Sequence, residues 1–557
     1  MRVACVGGGP GGLFLSILLG RTGKFSVDVF ERHAANVTYG FGVVFSRMSA
    51  ARLRSNAMDV LDEIFSHGVR WQTIEVRAGG NSFTSSGHGF GAVDRQTLLQ
   101  VLTRHARGAG VRIHHSCAVE CTSLLEDYDI VVAAEGAGSA TRQRLAGYFK
   151  PTVTHGSSRY IWLGMDRAAD SMKFLVADSD DGPIGAHVYP YSAHASTFLV
   201  EMPEGVWISA GFADEPHAPG WNDDRAVEYC EEVFAGELAG ARLIGNGSRW
   251  QQFSEVRNEH WSAPPIVLLG DAAHTAHFSV GSGTSMAMED AAELARCLNR
   301  FERVEEAFDA YEAARQPTVA AVQDSAWTSS LFWERLGNEA GRDVGELMLR
   351  LLTRTGQTDL DTLLRIDAKL SAVLPVASGI ARDSGTIPAA RWSYLCKELR
   401  ASGAALVEPR EIPDVDARRF DASRCRSIAV IADWQKDCEQ ALHRCAHGIV
   451  ELRKRLPGTP EGVFILVDGK VLQRPTVVRI REYLAKLGSL VPLDFICVGR
   501  IDLLPSARAL QMVLCDFVKS ELRLPAVYAC TPAHLSHART QVHAARADEI
   551  WLLQGSP

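Results

Sequence analysis

Cysteine is scarce: the 557-residue chain has twelve, and no two stand at the Cys-x-x-Cys spacing of a redox or zinc pair. That density excludes a disulfide framework, and the thiols are expected to be reduced and mostly buried in a cytoplasmic protein. No apolar run reaches the ~18 residues that span a bilayer, so no helical anchor is expected. Positive charge is not in excess, since the formal net charge is −8. A basic footprint for nucleic acid or an anionic membrane is therefore lacking. With 46% hydrophobic and 22% charged residues, the composition excludes disordered, collagen-like and fibrous chains. No metal site is expected, and no internal repeat or low-complexity tract stands out. At ~100–200 residues per domain, the length predicts two to four domains.

Glycine, by contrast, is concentrated at one point. The apolar stretch from Val3 to Leu19 looks superficially like an export signal, but Gly7-Gly8-Gly9-Pro10-Gly11-Gly12 interrupts it. Export is not expected. The better reading is a strand over Arg2–Val6, a tight turn, and a helix from Leu13, with a second strand over Ser26–Phe30. Gly7, Gly9 and Gly12 fit G-x-G-x-x-G. The first permits the turn, the second lets amides approach a pyrophosphate, and the third lets helix and sheet pack closely. The helix N-terminus adds oriented N–H groups for the anion. Glu31, ~20 residues on at the end of the next strand, can accept hydrogen bonds from a ribose diol. These residues, with Pro10 and Gly11 inside the turn, predict dinucleotide binding.

A second strand–turn–helix unit lies far along the chain. Ile266–Leu269 is an apolar strand closed by Gly270-Asp271-Ala272-Ala273-His274, then Val280-Gly281-Ser282-Gly283-Thr284 opens a long helix to about Asn299. An acid at a strand's carboxyl end can bind sugar hydroxyls, and small residues at a helix start let amides meet a ring system. Between the two units, Val93–Ala109 carries a helical apolar stripe, and Val111–His115 and Asp129–Ala134 read as strands. Tyr160–Met165, Gly185–Tyr191, Thr197–Met202 and Val206–Gly211 predict an antiparallel sheet. Phe301–Leu399 reads as mainly helical. The last third alternates strands at Ile428–Ala432, Val463–Val467, Asp494–Val498, Ala526–Ala529 and Ile550–Leu553 with helices such as Glu439–Leu456 and Ala509–Leu522, which implies a parallel sheet. A boundary is expected near Arg400–Arg426.

On these motifs the chain resembles the FAD-dependent aromatic hydroxylases, the single-component class related to para-hydroxybenzoate hydroxylase. The resemblance places Gly7, Gly9 and Gly12 on the pyrophosphate, Glu31 on the adenosine ribose and Gly270-Asp271 on the ribityl chain. Arg95, in Val93-Asp94-Arg95-Gln96, matches the arginine that lies along the FAD. Glu135-Gly136, followed by Ser139 and Arg142, stands at the family's Asp-Gly motif, with Glu replacing Asp. Arg32 and Val44 join the cofactor set, and amides around Gly281, Ser282, Gly283 and Thr284 would stabilise negative charge near flavin N1/O2. Gly40–Ser46, Tyr160–Gly164, His187–Tyr191, Ser196–Glu201 and Ala276–Thr284 are similar to salicylyl-CoA 5-hydroxylase, the flavin half of anthraniloyl-CoA monooxygenase, and the violacein-pathway hydroxylases. Arg47 departs from the acidic residue frequent in the CoA-thioester enzymes.

The resemblance implies an α/β fold: a Rossmann-like FAD-binding domain over 1–155 and 255–335, an antiparallel-sheet substrate domain over 156–254, and a helical connection over 336–425. It implies bound FAD, NAD(P)H as a transient co-substrate, and O₂. An aromatic acyl thioester (CoA- or carrier-bound) would be hydroxylated through a flavin C4a-hydroperoxide. A free aromatic or indolic substrate, or a non-oxygenating flavin dehydrogenase, are the alternatives. His187, Tyr189, Tyr191 and His277 are the candidate catalytic residues, able to orient a ring hydroxyl or amino group or take its proton. Tyr189 and Tyr191 read equally as amphipathic sheet residues with satisfied hydroxyls, and His274 as structural. Residues 426–557 resemble half of an old-yellow-enzyme (β/α) barrel, against roughly 250 residues for a whole one. The roles expected of it are support, homodimer formation or carrier docking.

Overall fold

The computed structural model describes residues 1–35, 37–213 and 222–373, and in the last third 426–429, 461–466, 474–490, 496–499, 505–524, 526–530, 535–544, 546–547 and 549–552. Internal contacts divide the chain into Met1–Val344 and Gly345–Pro557. That division falls inside the stretch read from sequence as a helical connection. The expected boundary at 400–426 lies largely outside the described residues.

In the first unit, β1 (Arg2–Val6) runs into α1 (Pro10–Gly20), and β2 (Ser26–Phe30) returns parallel beside β1. Val3–Val6 are buried on both faces, as a central parallel strand requires. On the other side of β1 lie the parallel strands Ile130–Ala133 and Ile266–Leu268, so two segments distant in sequence complete one sheet. Pro10 at the first turn of α1 costs no hydrogen bond. A Cβ on Gly12 would lie 2.2 Å from the Gly7 carbonyl, so only glycine allows this helix–turn crossing. A short antiparallel sheet follows, with β3 (Gly42–Ser46) paired to Phe90–Asp94 and that strand to Val69–Trp71.

The second large sheet contains β4 (Pro151–Met165), β5 (Met172–Ser179), β6 (Gly182–Pro190) and β7 (Ser196–Met202). Their order is β4-β7-β6-β5, antiparallel throughout. Two strands from early in the chain, Ile74–Ala78 and Asn81–Ser85, extend it through a parallel pairing with β5. Gln251–Asn258 pairs along β4, so the sheet reaches beyond 156–254.

The expected strand Val206–Gly211 is corrected: Glu204–Ser209 is helical. Pro203 cannot donate to a ladder and stands at the N-cap, and Glu204 pairs with Arg159 to hold the helix against β4. The unread strand β5 takes the place beside β6.

Two-residue periodicity gives this sheet two faces. Ile161, Leu163, Ile184, Ala186, Val188, Phe198, Val200 and Met202 pack into one core, which the helix Asp224–Val233 covers. Tyr160, Trp162, Phe174, His187, Tyr189, Thr197 and Glu201 are on the opposite face. Two helices close the unit: α2 (Gly283–Arg300) and α3 (Val304–Glu334).

The second unit has a five-stranded sheet over Arg426–Ala429, Glu461–Leu466, Ile496–Gly499, Ala526–Cys530 and Glu549–Leu552, with every neighbour parallel and the strands in chain order. The wound direction never reverses, unlike in a doubly wound fold. Helices Arg474–Leu490, Pro505–Ser520 and Leu535–His543 lie between strands. The expected helix Glu439–Leu456 lies outside the described residues. Arg350, buried, binds Asp516 at 2.8 Å and the Ala544 carbonyl at 2.8 Å, tying the unit's first helix to its last ones.

Candidate active site

The glycine turn leaves shaped space. A Cβ at Gly7, whose φ is +119°, would strike the Ala134 carbonyl at 2.1 Å, whereas one at Gly9 would meet nothing within 4 Å. The helix α1 begins at Gly9 with no side-chain cap, so its first amides are open. Glu31 is fixed beside the turn: its carboxylate accepts the Gly8 amide at 2.7 Å and the His33 amide at 2.8 Å. Gly11 packs against Ala287 of α2. Arg32 is exposed and donates to the ring of its neighbour His33.

The second strand–turn–helix unit lies beside the first, since Ala287 of α2 packs on Gly11 and on Gly270. Ser282 stands at the N-cap of α2, makes no side-chain cap, and its buried hydroxyl has no partner among the described residues. Gly281, at φ +60°, sits against Val44 of β3, which brings that strand to the loop. Gly283 has open space where a Cβ would be, and Thr284 follows in the first turn. Asp271 is exposed and makes no hydrogen bond among the described residues. The protein around it raises its carboxyl pKa, although His274 and Arg95 pull the other way. Arg95 likewise has no side-chain hydrogen bond among the described residues; burial lowers its pKa, with Asp271 and Tyr189 opposing.

Open space at Gly9, two uncapped helix starts and uncommitted polar groups at Ser282, Asp271 and Arg95 fit a long ligand with a pyrophosphate, a polyol and a ring. FAD is such a molecule. Glu135 is turned elsewhere: its carboxylate accepts the Ser139 hydroxyl and the Thr141 amide, capping the next helix, and Gly136 takes φ +82°. Arg142 is buried on the Ala272 and Ala137 carbonyls.

The candidate catalytic residues fall into two groups. Tyr189 donates its hydroxyl to the Gly42 carbonyl at 3.0 Å and stacks on Trp71, and burial pushes its pKa up to about 12. Tyr191 is half-buried, filling the space above Gly42; burial and, behind it, Asp94 raise its pKa. His187 and His277 meet instead at Glu201, which sequence reasoning left out of the site. Glu201 is 1% exposed, with His277 Nε2 3.4 Å from Oε1 and His187 Nε2 3.5 Å from Oε2. Ser158 donates to Oε1 at 2.6 Å. Burial opposes ionisation of Glu201, but the two imidazoles outweigh it and hold the carboxyl at about 2.

Rings surround this cluster. Phe278 lies 4.1 Å from His277 and 4.6 Å from Tyr160, and Trp333 lies 4.1 Å from His187. Gly185, opposite Glu201 in register, makes room for Trp333, whose ring a Cβ would meet at 2.7 Å. Tyr160, Trp162 and Phe278 are half-buried and leave an aromatic surface beside the Gly281–Thr284 loop. The readable signal was an acid closing the otherwise apolar run Thr197–Val200.

His274 belongs to a separate buried group. It lies 2.6 Å from Asp290, which Arg315 binds at 2.7 Å, and Trp261 packs over its ring at 5.0 Å. Burial opposes ionisation of Asp290, yet His274 and Arg315 lower its pKa.

Among known proteins, the FAD binding domain family matches residues 126–326. A salicyloyl-CoA 5-hydroxylase of Streptomyces sp is 43% identical over 346 residues, covering 60% of this chain and 66% of that protein. A 3-hydroxy-4-methyl-anthranilyl-[aryl-carrier protein] 5-monooxygenase of Streptosporangium sibiricum is 40% identical over 358 residues, 64% of this chain and 95% of that one. The protodeoxyviolaceinate monooxygenase of Chromobacterium violaceum is 29% identical and 89% covered. The solved structure of 2-methyl-3-hydroxypyridine-5-carboxylic acid oxygenase superposes with a TM-score of 0.50 at 19% identity, over 65% of this chain and 97% of that one, a likeness of fold. No helix among the described residues is long and apolar enough to cross a membrane.

Proposed function

Because this chain belongs to the FAD-dependent aromatic monooxygenases, we propose that it uses NAD(P)H and O₂ to hydroxylate the ring of an aromatic acyl thioester, bound to CoA or to a carrier protein. The observation that carries this reading is the aromatic face around His187, Glu201 and His277, set beside the open Gly281–Thr284 loop. Two relatives at 40% identity or more are named for a CoA thioester and a carrier-bound aryl group, which supports the thioester class. The violacein-pathway relative favours a second reading, a free indolic substrate.

Bound FAD supplies the redox chemistry: it accepts reducing equivalents from NAD(P)H and activates O₂ for transfer of one oxygen atom to the ring. The chain's own residues do the rest. Gly7, Gly9, Gly12 and the first amides of α1 would hold the pyrophosphate, and Glu31 the adenosine ribose. Asp271 would take ribityl hydroxyls and Arg95 would contact the cofactor. The amides of Gly281–Thr284 would stabilise negative charge on the ring system. Phe278, Tyr160 and Trp162 clamp the substrate ring and exclude water. Tyr189 holds β6 to β3 by its bond to Gly42.

The second unit is read as a partial (β/α) barrel; its singly wound parallel sheet supports this. A homodimer through that unit is part of the same proposal.

The test is an aerobic assay of the purified full-length protein with NADH or NADPH against salicyloyl-, anthraniloyl- and benzoyl-CoA, the free acids, and indoles. Stimulated oxidation with a hydroxylated thioester product is expected. Stimulation by no compound would defeat the monooxygenase reading, and stimulation by indoles alone would move it to the second substrate class.

A further inference from the structure

We infer that Glu201 is the positioning residue of a buried proton relay, His277–Glu201–His187, in which His187 accepts the proton of a ring hydroxyl or amino group on the substrate. The inference rests on the monooxygenase reading and adds a residue, a direction and a requirement on the substrate.

The direction comes from hydrogen bonds around His277. Its Nδ1 accepts the Ser279 amide at 3.4 Å and lies 2.9 Å from the Ser279 hydroxyl, which is 2.7 Å from Ser329 Oγ. An Nδ1 that accepts a backbone N–H has no proton of its own. The hydrogen of the neutral ring is therefore on Nε2, the atom that faces Glu201 Oε1. Ser158 donates to the same oxygen. Oε1 thus accepts the Ser158 hydroxyl and faces the neutral His277 at 3.4 Å, while Oε2 has no hydrogen-bond partner among the described residues and faces His187 Nε2 at 3.5 Å, placed to pair with an imidazolium there.

Charge points the same way: a cation formed in the interior needs an anion beside it, and Glu201 is that anion. Among the described residues the ion-pair partners of Glu201 are His187 and His277, with no lysine or arginine. With His277 held neutral, the positive charge that proton uptake creates falls on His187, where Glu201 compensates it. Trp333, Phe174 and Phe278, at 4.1, 5.2 and 5.9 Å from His187, present rings that favour a cation.

The other titratable group in register with Glu201 is Tyr160 on β4, pushed up to about 12 by burial and by Glu201, so it stays protonated. Charged side chains on the flanking elements are committed elsewhere: Glu334 accepts the Ser157 amide, and Arg257 pairs with Glu255 and Asp324.

The step balances. The O–H (or N–H) bond of the ring substituent breaks, its electron pair stays on the ring substituent, and an N–H bond forms on His187. A neutral substrate and a neutral imidazole become an electron-rich anion and an imidazolium, with Glu201 fixing the imidazolium but never taking the proton. The carboxylate of a catalytic triad acts in the same sense. The substrate must therefore carry an ionisable hydroxyl or amino group on the ring.

The test uses FAD-loaded full-length protein and two probes. Salicyloyl-CoA reports turnover. 5-Nitrosalicyloyl-CoA, blocked at one ring position and coloured as its phenolate, reports ionisation of the bound hydroxyl without turnover. The wild type is expected to bind the nitro probe as phenolate, and Glu201→Gln to move the ionisation midpoint up by ~1–3 pH units. In Glu201→Gln, kcat for salicyloyl-CoA should fall about 10²-fold or more, with KM changed only a few-fold. Glu201→Asp should recover part of both losses. His187→Asn should shift the midpoint as Glu201→Gln does, and it keeps the test alive if Glu201→Gln does not fold. A midpoint unchanged in the folded variants overturns the relay. Failure of the wild type to bind or turn over either thioester instead overturns the functional reading on which the relay rests.

Discussion

Two buried carboxylates in the first unit stand against histidines, and their surroundings differ in one respect. Asp290 is held between His274 at 2.6 Å and Arg315 at 2.7 Å. Glu201 has two imidazoles at 3.4 and 3.5 Å and a serine hydroxyl. An arginine stays charged at any working pH, so the Asp290 group is closed: its charge is balanced whatever His274 does. Among the described residues the ion-pair partners of Glu201 are imidazoles alone, with no arginine or lysine to fix a charge beside it. The same pair of residue types therefore forms a brace in one place and a proton-handling group in the other. Geometry reinforces the distinction, because the looser pair lies beside two half-buried rings, Tyr160 and Phe278.

The largest expected effect lies on the brace. Asp290→Asn removes the nearer anion of Arg315, leaving Glu289 at 3.5 Å, and takes the carboxylate from His274; it should cost about 3–5 kcal/mol of stability, read as a fall in melting temperature with loss of bound flavin. An equal loss from Glu201→Gln would erase the difference between the two groups. Next comes Glu201→Gln itself: stability should fall by only about 1–3 kcal/mol while turnover falls about 10²-fold or more.

The third effect is a pH dependence. The Glu201 carboxyl is held at about 2, below its ordinary 4.5. A lowered folded-state pKa adds stability that is complete above the ordinary value and is lost as pH falls from 4.5 toward 2. Denaturant titrations over that window should show a shallower acid decline in Glu201→Gln than in the wild type. An identical decline would mean that Glu201 shares no charge with its histidines. The smallest effect is Tyr189→Phe, which removes one hydrogen bond to Gly42 and should cost about 1 kcal/mol with turnover changed only a few-fold. A large rate loss there would return Tyr189 to the reacting groups.

The two strand–turn–helix units that the proposal assigns to the cofactor were legible in the sequence as structure because their signals are local. Gly7, Gly9 and Gly12 sit within one turn, and Asp271 within three residues of its strand. The period-two pattern of Gly185–Tyr191 likewise placed His187 and Tyr189 on one face. What was not legible depends on register and distance. Glu201 meets His187 only because β6 and β7 pair with Gly185 opposite Glu201, and His277 arrives from a loop far along the chain. The strands Ile74–Ala78 and Asn81–Ser85 join a sheet whose other members begin much later, so no local pattern assigns them to it. Val206–Gly211 has a strand's apolar content, but Pro203 ends the ladder and Glu204 favours a helix start. In the last third, short apolar runs disclosed strands and a parallel sheet.

The most direct test of the central claim is oxygen labelling. Full-length protein turning over salicyloyl-CoA with NAD(P)H under ¹⁸O₂ is predicted to place one labelled atom on the aromatic ring for each NAD(P)H consumed productively. A hydroxylated product carrying oxygen from water, or oxidation of NAD(P)H with no labelled product from any aryl thioester, would contradict it.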